Sequence, residues 1–503
     1  MKNAIKWVCA LLMLVSILCL ASCAHKHTEQ AIPAVPKTCT EAGYTEGKKC
    51  TECGEILAEP QIVEASHNEQ RIPYIKPEVG KTGYTEGKKC ADCGEILLPQ
   101  QEFSLLSMIV DEEKSQKGSL TCYLTLDSEA EGEFTIYYAD KEKQRLPYFT
   151  AIDTITADEI DKEISDLIIP GECEYLIASD GGEYDYFVQI PSEYTEKDGY
   201  IFGSLSDVHT NDGHYFEGAL DFFDEYGKID FVAISGDISD GADKDLDFFN
   251  DTIKDREYKV YTTTGNHDST SVKSGKWLEK INTSIKTDTE VLEIGKNGLD
   301  FVYAPSKDGD SVFIFFCQTS WSYPKNPTGA EYSLVSAEQI KWLGEMLEKY
   351  KDKTVFLYFH TFLSGPGGRQ ENSVGNLRNP GGYAYDLPYS YGAGDEMRFR
   401  ALLKEYKNVV FFSGHSHWMF ELEKYNPNLN MSNFGGQYCY MVHNPSVCTP
   451  RWIEEDSPTR ENMKGKYSEG WIVEKTDTYI VLIPVDFISQ TFYTEYMKLI
   501  PIN

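Results

Sequence analysis

Ten histidines occur in this 503-residue chain, and five of them fall in short polar loops that directly follow apolar, strand-like runs. "YIFGSL" runs into "SDVHT", which carries Asp207 and His209. "DFVAIS" runs into "GDISD", which carries Asp237, and "KVYTT" into "TGNHD", with Asn266, His267 and Asp268. His360 follows "TVFLYF", and "NVVFF" opens into "GHSH", with His415 and His417. A lone histidine after a strand is ordinarily a structural residue. Carboxylate, amide and imidazole groups at five successive strand ends form a donor set of nitrogen and oxygen, which suits Mn, Fe, Zn or Co better than a metal that prefers soft thiolates.

The elements that must position these groups alternate. Apolar runs are separated by helix-like stretches, and one helix is well marked: Ser336 and Gln339 read as a capping box before "IKWLGEMLEKY". Its Ile340, Leu343, Met346, Leu347 and Tyr350 fall on one face. Strands alternating with helices predict an α/β layered domain whose site lies at the carboxyl ends of the strands. The tail "YIVLIPVDFISQTFY" reads as a further strand closing a sheet edge.

D-x-H, G-D-x-x-D, G-N-H-D, a single His and G-H-x-H, in this order from about Tyr200 to Trp418, resemble the calcineurin-like metallophosphoesterase superfamily. The resemblance implies an α/β four-layer sandwich over residues 197–503, with two mixed β-sheets packed face to face and flanked by helices. It implies two divalent metal ions (Mn, Fe, Zn or Co). Asp237 would bridge them, Asp207, His209 and His417 would complete the shell of one, and Asn266, His360 and His415 that of the other. On extended backbone His415 and His417 would project to one side and each reach a different metal, with Gly414 letting the backbone come close. The implied activity is hydrolysis of a phosphate mono- or diester by metal-activated hydroxide, two ions held about 3.5–4 Å apart gripping the phosphoryl oxygens. His267 would protonate the leaving alkoxide, and Asp268 would either orient its ring or cap the loop. Asp240 stands where purple acid phosphatases carry a tyrosine, so an iron–tyrosinate centre is not expected. The long Gly-, Tyr- and Asn-rich segment 365–396 follows His360; its Arg369 and Arg378 would hold an acidic part of the substrate, or the segment would be a packing lid.

The rest of the chain bounds the setting. A formal net charge of −33 argues against a nucleic-acid partner and against adhesion to an anionic membrane through charge. Lys2 and Lys6 precede an apolar run from Trp7 to Leu20 ending in "LASC". This resembles the lipobox of bacterial lipoproteins, which implies lipid on Cys23, a chain anchored to the membrane and facing outward, and residues 1–23 as its signal peptide. A plain secretory signal would also export it.

Within residues 24–102, "GYTEGKKCTECGEIL" returns as "GYTEGKKCADCGEIL" with a period of 40. Cys50, Cys53, Cys90 and Cys93 would hold one structural zinc through four thiolates, or Cys39, Cys50, Cys53 and His67 would serve the first copy alone, or the loops would be disulfide-closed. The repeats read as a spacer or as a module for a cell-surface partner. Residues 103–196 are rich in Thr, Tyr, Val and Phe in short alternating runs and predict a small β-sandwich, similar in placement to the immunoglobulin-like domains that precede some secreted phosphoesterases, with Cys122 and Cys173 as a candidate disulfide. A different class of function stays open beside the enzyme: a non-catalytic surface-binding lipoprotein that retains the phosphoesterase shell.

Overall fold

The computed structural model describes residues 26–73, 75, 83–100, 102–103, 106–126, 130–139, 151–171, 173–181, 185–195, 199–322, 332–363, 374–375, 395–453 and 461–502. Residues 1–25 with Cys23, and Arg369 and Arg378 with most of the long segment, lie outside the described residues. The chain forms two compact units, Met1–Ser104 and Leu105–Asn503.

In the first unit each repeat folds as a three-stranded antiparallel sheet. Strands Glu29–Ile32, Gly47–Cys50 and Ile56–Ala58 recur as Glu69–Ile72, Gly87–Cys90 and Ile96–Leu98, every bound displaced by the 40-residue period. The turn after each C-x-x-C uses a glycine at φ 77°, Gly54 and Gly94, a conformation that a Cβ would strain. The structural repeat starts earlier than the C-x-x-C signature, because the pairing brings Glu29 opposite Cys50 and Glu69 opposite Cys90.

The second unit begins with a three-stranded sheet (Leu106–Val110, Ser119–Leu126, Lys162–Ile168) and a four-stranded one (Asp153–Thr156, Glu133–Ala139, Tyr175–Ser179, Asp185–Gln189). Cys122 and Cys173 are buried in this β-rich region, and both thiols are free, so the candidate disulfide is not formed. Burial pushes the Cys122 thiol up to about 12, as expected of an inert core cysteine. The apolar core of this region runs without a break into Phe216, Leu220 and Ile472, and the Gly171 N–H donates to Glu474 Oε2 at 2.6 Å. The β-rich region is therefore packed as part of the same compact unit as the α/β portion.

That portion is built on two seven-stranded mixed sheets. In the first, the parallel strands Tyr200–Leu205, Phe231–Ile234 and Lys259–Thr262 continue antiparallel into Glu469–Lys475 and Tyr479–Asp486. In the second, Ser311–Phe315, Thr354–Tyr358, Val409–Ser413 and Tyr440–His443 are parallel. Strands such as "YIFGSL" and "VVFFS" are buried at every position, because both faces are covered, and this is why they read as unbroken apolar runs rather than alternating ones.

The inner faces of the sheets meet in an aromatic layer in which Phe202 approaches Phe313 and Phe356 edge-on, both at 5.0 Å. Helices His214–Tyr226 and Asp243–Ile253 cover the outer face of the first sheet, and Ala337–Lys349 with Asp395–Glu405 that of the second. The capping box forms: Ser336 Oγ accepts from Gln339 N at 3.1 Å, and Gln339 Oε1 accepts from Ser336 N at 2.9 Å. Of the tail, the short strand Thr491–Phe492 ends the strand order of the first sheet, whereas Tyr479–Asp486 lies inside it. It is buried along its whole length between Glu469–Lys475 on one side and Thr491–Phe492 and Lys498–Pro501 on the other.

Candidate metal centre and active site

Parallel strands deliver all their carboxyl ends to one edge of a sheet, and here two sheets deliver theirs to a common cleft. Asp207 and His209 follow Tyr200–Leu205, Asp237 follows Phe231–Ile234, and Asn266 to Asp268 follow Lys259–Thr262. His360 follows Thr354–Tyr358, and His415 and His417 follow Val409–Ser413.

The backbone at these stations is not extended. Asp207, His209, Asp237, His415 and His417 all have positive φ, between 40° and 74°, which β-carbon-bearing residues avoid. The expectation of extended backbone at His415 and His417 is thus corrected: two left-handed residues flanking Ser416 aim the rings. Gly414 is needed for closeness, since a Cβ there would meet Ser206 Oγ at 1.7 Å. Gly265 is needed equally, its Cβ falling 2.0 Å from Asp237 Oδ1.

Two groups of donors result. Asp207, His209, Asp237 and His417 present ligand atoms within 4.8 Å of one another, and so do Asp237, His360 and His415. Asp237 belongs to both. Asn266 joins the second group, its Oδ1 lying 3.0 Å from His360 Nε2 and 2.9 Å from His415 Nδ1, with the two ring nitrogens 3.2 Å apart. Donors about 3 Å apart are spaced as adjacent ligands at right angles around an ion with bonds of about 2.1 Å.

The orientation of the rings makes the same point. His360 Nδ1 lies 2.7 Å from the Ser235 carbonyl and His417 Nδ1 3.0 Å from that of Thr449. His417 Nδ1 also lies 2.6 Å from the Thr449 hydroxyl, and with both Nδ1 atoms engaged each Nε2 is turned to the cleft. There His360 Nε2 meets Asp237 Oδ2 at 3.2 Å, His417 Nε2 meets Asp207 Oδ1 at 3.0 Å, and His209 Nε2 is buried without a hydrogen-bond partner. Acceptor atoms brought this close need a proton or a cation between them. The residues present therefore fit a pair of divalent ions.

Electrostatics agree. Despite burial, which opposes it, the His417 and His360 rings hold Asp207 well below the usual carboxylate range, and His360 does the same for Asp237. Against its own burial, His360 is drawn up to about 9 by Asp237 and Asp207, so the pocket holds positive charge even when a proton must supply it. Burial, with the neighbouring His360, pushes His415 down to about 3, which keeps it a neutral ligand.

His267 stands at the mouth of the cleft, half exposed, with Nδ1 2.6 Å from Asp240 Oδ1. That contact, against burial, raises it to about 9. The ring's partner is Asp240 and not Asp268, which corrects one of the two roles considered for Asp268. The Asp268 carboxylate is fully buried and accepts from the backbone N–H groups of Gly265 (2.8 Å) and Ser239 (2.9 Å) and from the Ser239 hydroxyl (2.9 Å). It ties the "GDISD" loop to the "TGNHD" loop. Asp240 was legible as the second aspartate of its motif, but only the fold turns it toward His267. Thr449, Ser235 and Asn444, which hold ligand rings and loop backbones, carry no sequence signal.

The N-terminal cysteines are paired differently from the four-thiolate expectation. Cys50 and Cys53 lie with His27, and Cys90 and Cys93 with His67 and Cys39; in each repeat the opening strand, which follows the histidine, pairs with the strand that ends in the C-x-x-C.

The site is a cluster of buried Asp and His side chains whose donors fit divalent metal. Residues 202–419 match the family model of the calcineurin-like phosphoesterases, a dinuclear-metal family, and form a domain of that family. Among curated proteins, the chain is similar to a probable glycerophosphodiester phosphodiesterase GpdQ of Arcobacter nitrofigilis, 27% identical over 139 residues. That alignment covers 26% of this chain and 42% of the relative, so less than half of the relative's length is spanned. Solved structures with some likeness include TT1561 of Thermus thermophilus (10% identity, TM-score 0.29, 53% of this chain and 99% of that one). Another is a predicted phosphoesterase from Streptococcus pneumoniae (12% identity, TM-score 0.26, 61% and 99%). Likeness at these scores does not bear on the site.

Proposed function

We propose that the protein is an exported, dinuclear-metal phosphoesterase that hydrolyses a phosphate diester. The observation that carries the hydrolase reading is the convergence of acceptor atoms from five strand ends on two adjoining points that share Asp237. Asp207, His209 and His417 would hold one ion and Asn266, His360 and His415 the other, with Asp237 shared between them. When bound, the two ions supply Lewis acidity at the phosphoryl oxygens and acidify water to a nucleophile at neutral pH.

The chain's own residues do the rest. Ser235 and Thr449 fix the ligand tautomers by accepting the Nδ1–H protons. His267, held protonated by Asp240, donates its Nε2 proton to the leaving alkoxide, which is a poor leaving group without it. Asp268 keeps the two loops at fixed spacing. Preference for a diester is supported by the relative's printed activity, and lipid anchoring through Cys23 by the "LASC" sequence.

The test is a parallel assay of the purified mature chain on a chromogenic phosphate monoester and the matching diester, with added Mn²⁺ and after chelation. Chelator-sensitive turnover with the diester ahead is the expected result. Turnover of neither ester by a chain carrying two ions would favour the surface-binding lipoprotein instead.

A further inference from the structure

We propose that Cys39, His67, Cys90 and Cys93 form a tetrahedral zinc site that fastens the first N-terminal repeat to the second. Their ligand atoms all lie within 4.8 Å of one another. Cys93 Sγ is 3.6 Å from His67 Nδ1 and Cys39 Sγ is 3.3 Å from Cys90 Sγ. A tetrahedral ion with Zn–S of about 2.3 Å and Zn–N of about 2.0 Å sets sulfur–nitrogen spacings near 3.5 Å and sulfur–sulfur spacings near 3.8 Å. The first observed distance matches that geometry, and the second is half an ångström short of it. Both sulfurs are free thiols, well outside the bonding distance of about 2.05 Å.

The surroundings are those of a ligand set. The backbone N–H groups of Asp92 and Cys93 point at the Cys90 sulfur, as they must to stabilise a thiolate in a C-x-x-C turn, and Gly94 closes that turn at φ 77°. His67 turns its other nitrogen, Nε2, toward Glu95 at 3.5 Å, and a carboxylate there fixes the tautomer that leaves Nδ1 free to bind. The first repeat copies this piece by piece: Cys53 Sγ lies 3.7 Å from His27 Nδ1, and His27 Nε2 lies 3.7 Å from Glu55. His27 and His67 are one period apart, so the histidine is part of the repeat itself.

Cys39 is the exception that gives the site its purpose. It belongs to the segment of the first repeat, yet it reaches the ligand cluster of the second. One period later the chain has Val79, and no third copy of the C-x-x-C signature follows the second. The linking thiol is present where there is a next repeat to link and replaced where there is none. Three thiolates and one imidazole favour zinc, and binding releases the three thiol protons to leave a complex of charge −1.

The experiment uses the full mature chain, purified reduced, stripped of metal and titrated with Co²⁺. Thiolate-to-cobalt charge transfer in the near ultraviolet reports only sulfur-ligated metal, so the nitrogen- and oxygen-ligated phosphoesterase centre does not contribute. We expect this band in the wild type and undiminished in Asp237→Asn. In Cys39→Ser the tightly bound fraction should be lost, and in Glu95→Gln its affinity should fall by about tenfold or more. Absence of the band while the thiols titrate as free, or a Cys39→Ser chain that binds like the wild type, overturns the site. So does a Cys39–Cys90 disulfide in the peptide map of chain purified without reductant.

Discussion

The Asp240 carboxylate lies 2.6 Å from His267 Nδ1, and the same Oδ1 lies 3.2 Å from His209 Nδ1. One side chain thus joins a ring at the mouth of the cleft to a ring at its floor. The bond to His267 holds an imidazolium in place, and the two histidines in turn hold Asp240 well below the usual carboxylate range.

This sets the pH dependence. A general acid works while it is protonated, and His267, raised to about 9, keeps its proton through neutrality and loses it as pH climbs past that value. Activity should therefore fall on the alkaline side near pH 9. In Asp240→Asn the alkaline limb should move down toward about 6.5, the ordinary imidazole value, with kcat lower by about 30-fold at about pH 8. A pH–rate profile of both proteins checks this; an unmoved limb would separate His267 from proton transfer.

Asp237 faces both donor groups, so its loss should empty both. Asp237→Asn should lose up to two ions per chain relative to the wild type by elemental analysis. Its turnover should fall by at least about 10³-fold, the equivalent of the several kcal/mol that two ions supply. Chelation of the wild type should produce the same loss and metal addition should reverse it.

Asp268 is structural by its contacts. Asp268→Ala leaves the Gly265 and Ser239 N–H groups buried without an acceptor, at about 2–4 kcal/mol. Thermal unfolding should register this in full. Asp268→Asn, which keeps one acceptor oxygen, should lose less, and both should move the alkaline limb less than Asp240→Asn does, because Asp268 is the lesser contributor to the raised His267.

Gly414 tolerates no side chain. The Cβ of Gly414→Ala would fall 1.7 Å from Ser206 Oγ and 2.7 Å from Asp207 Oδ2, so the ligand carboxylate must move. Metal content should drop even where the chain folds, at an overpacking cost of about 1–3 kcal/mol. Gly218→Ala, on an open helix face with nothing within 4 Å, is the neutral control.

The chemistry was legible in sequence because ligand types are few and each station follows a buried strand whose unbroken apolar run announces it. Type, order and spacing were enough to read Asp207, His209, Asp237, Asn266, His360, His415 and His417 as one set. Positions fixed by contact across the fold were not legible. Nothing local tells whether Asp240 or Asp268 reaches His267, since both lie within a few residues of the loops concerned, and only the path of the backbone chooses. Nothing local assigns Cys39 to the second repeat rather than to its own, because strand pairing stays within each repeat and only the path of the chain brings Cys39 beside Cys90. Nor does a run like "YIVLIPVDFISQTFY" say whether it lies at an edge or inside a sheet, for apolarity on both faces records only that something covers them. The sequence by itself determined which atoms this protein has for holding metal and moving a proton. The tertiary structure decided which of them face one another, because left-handed turns and glycine contacts at the strand ends set directions that residue type does not encode.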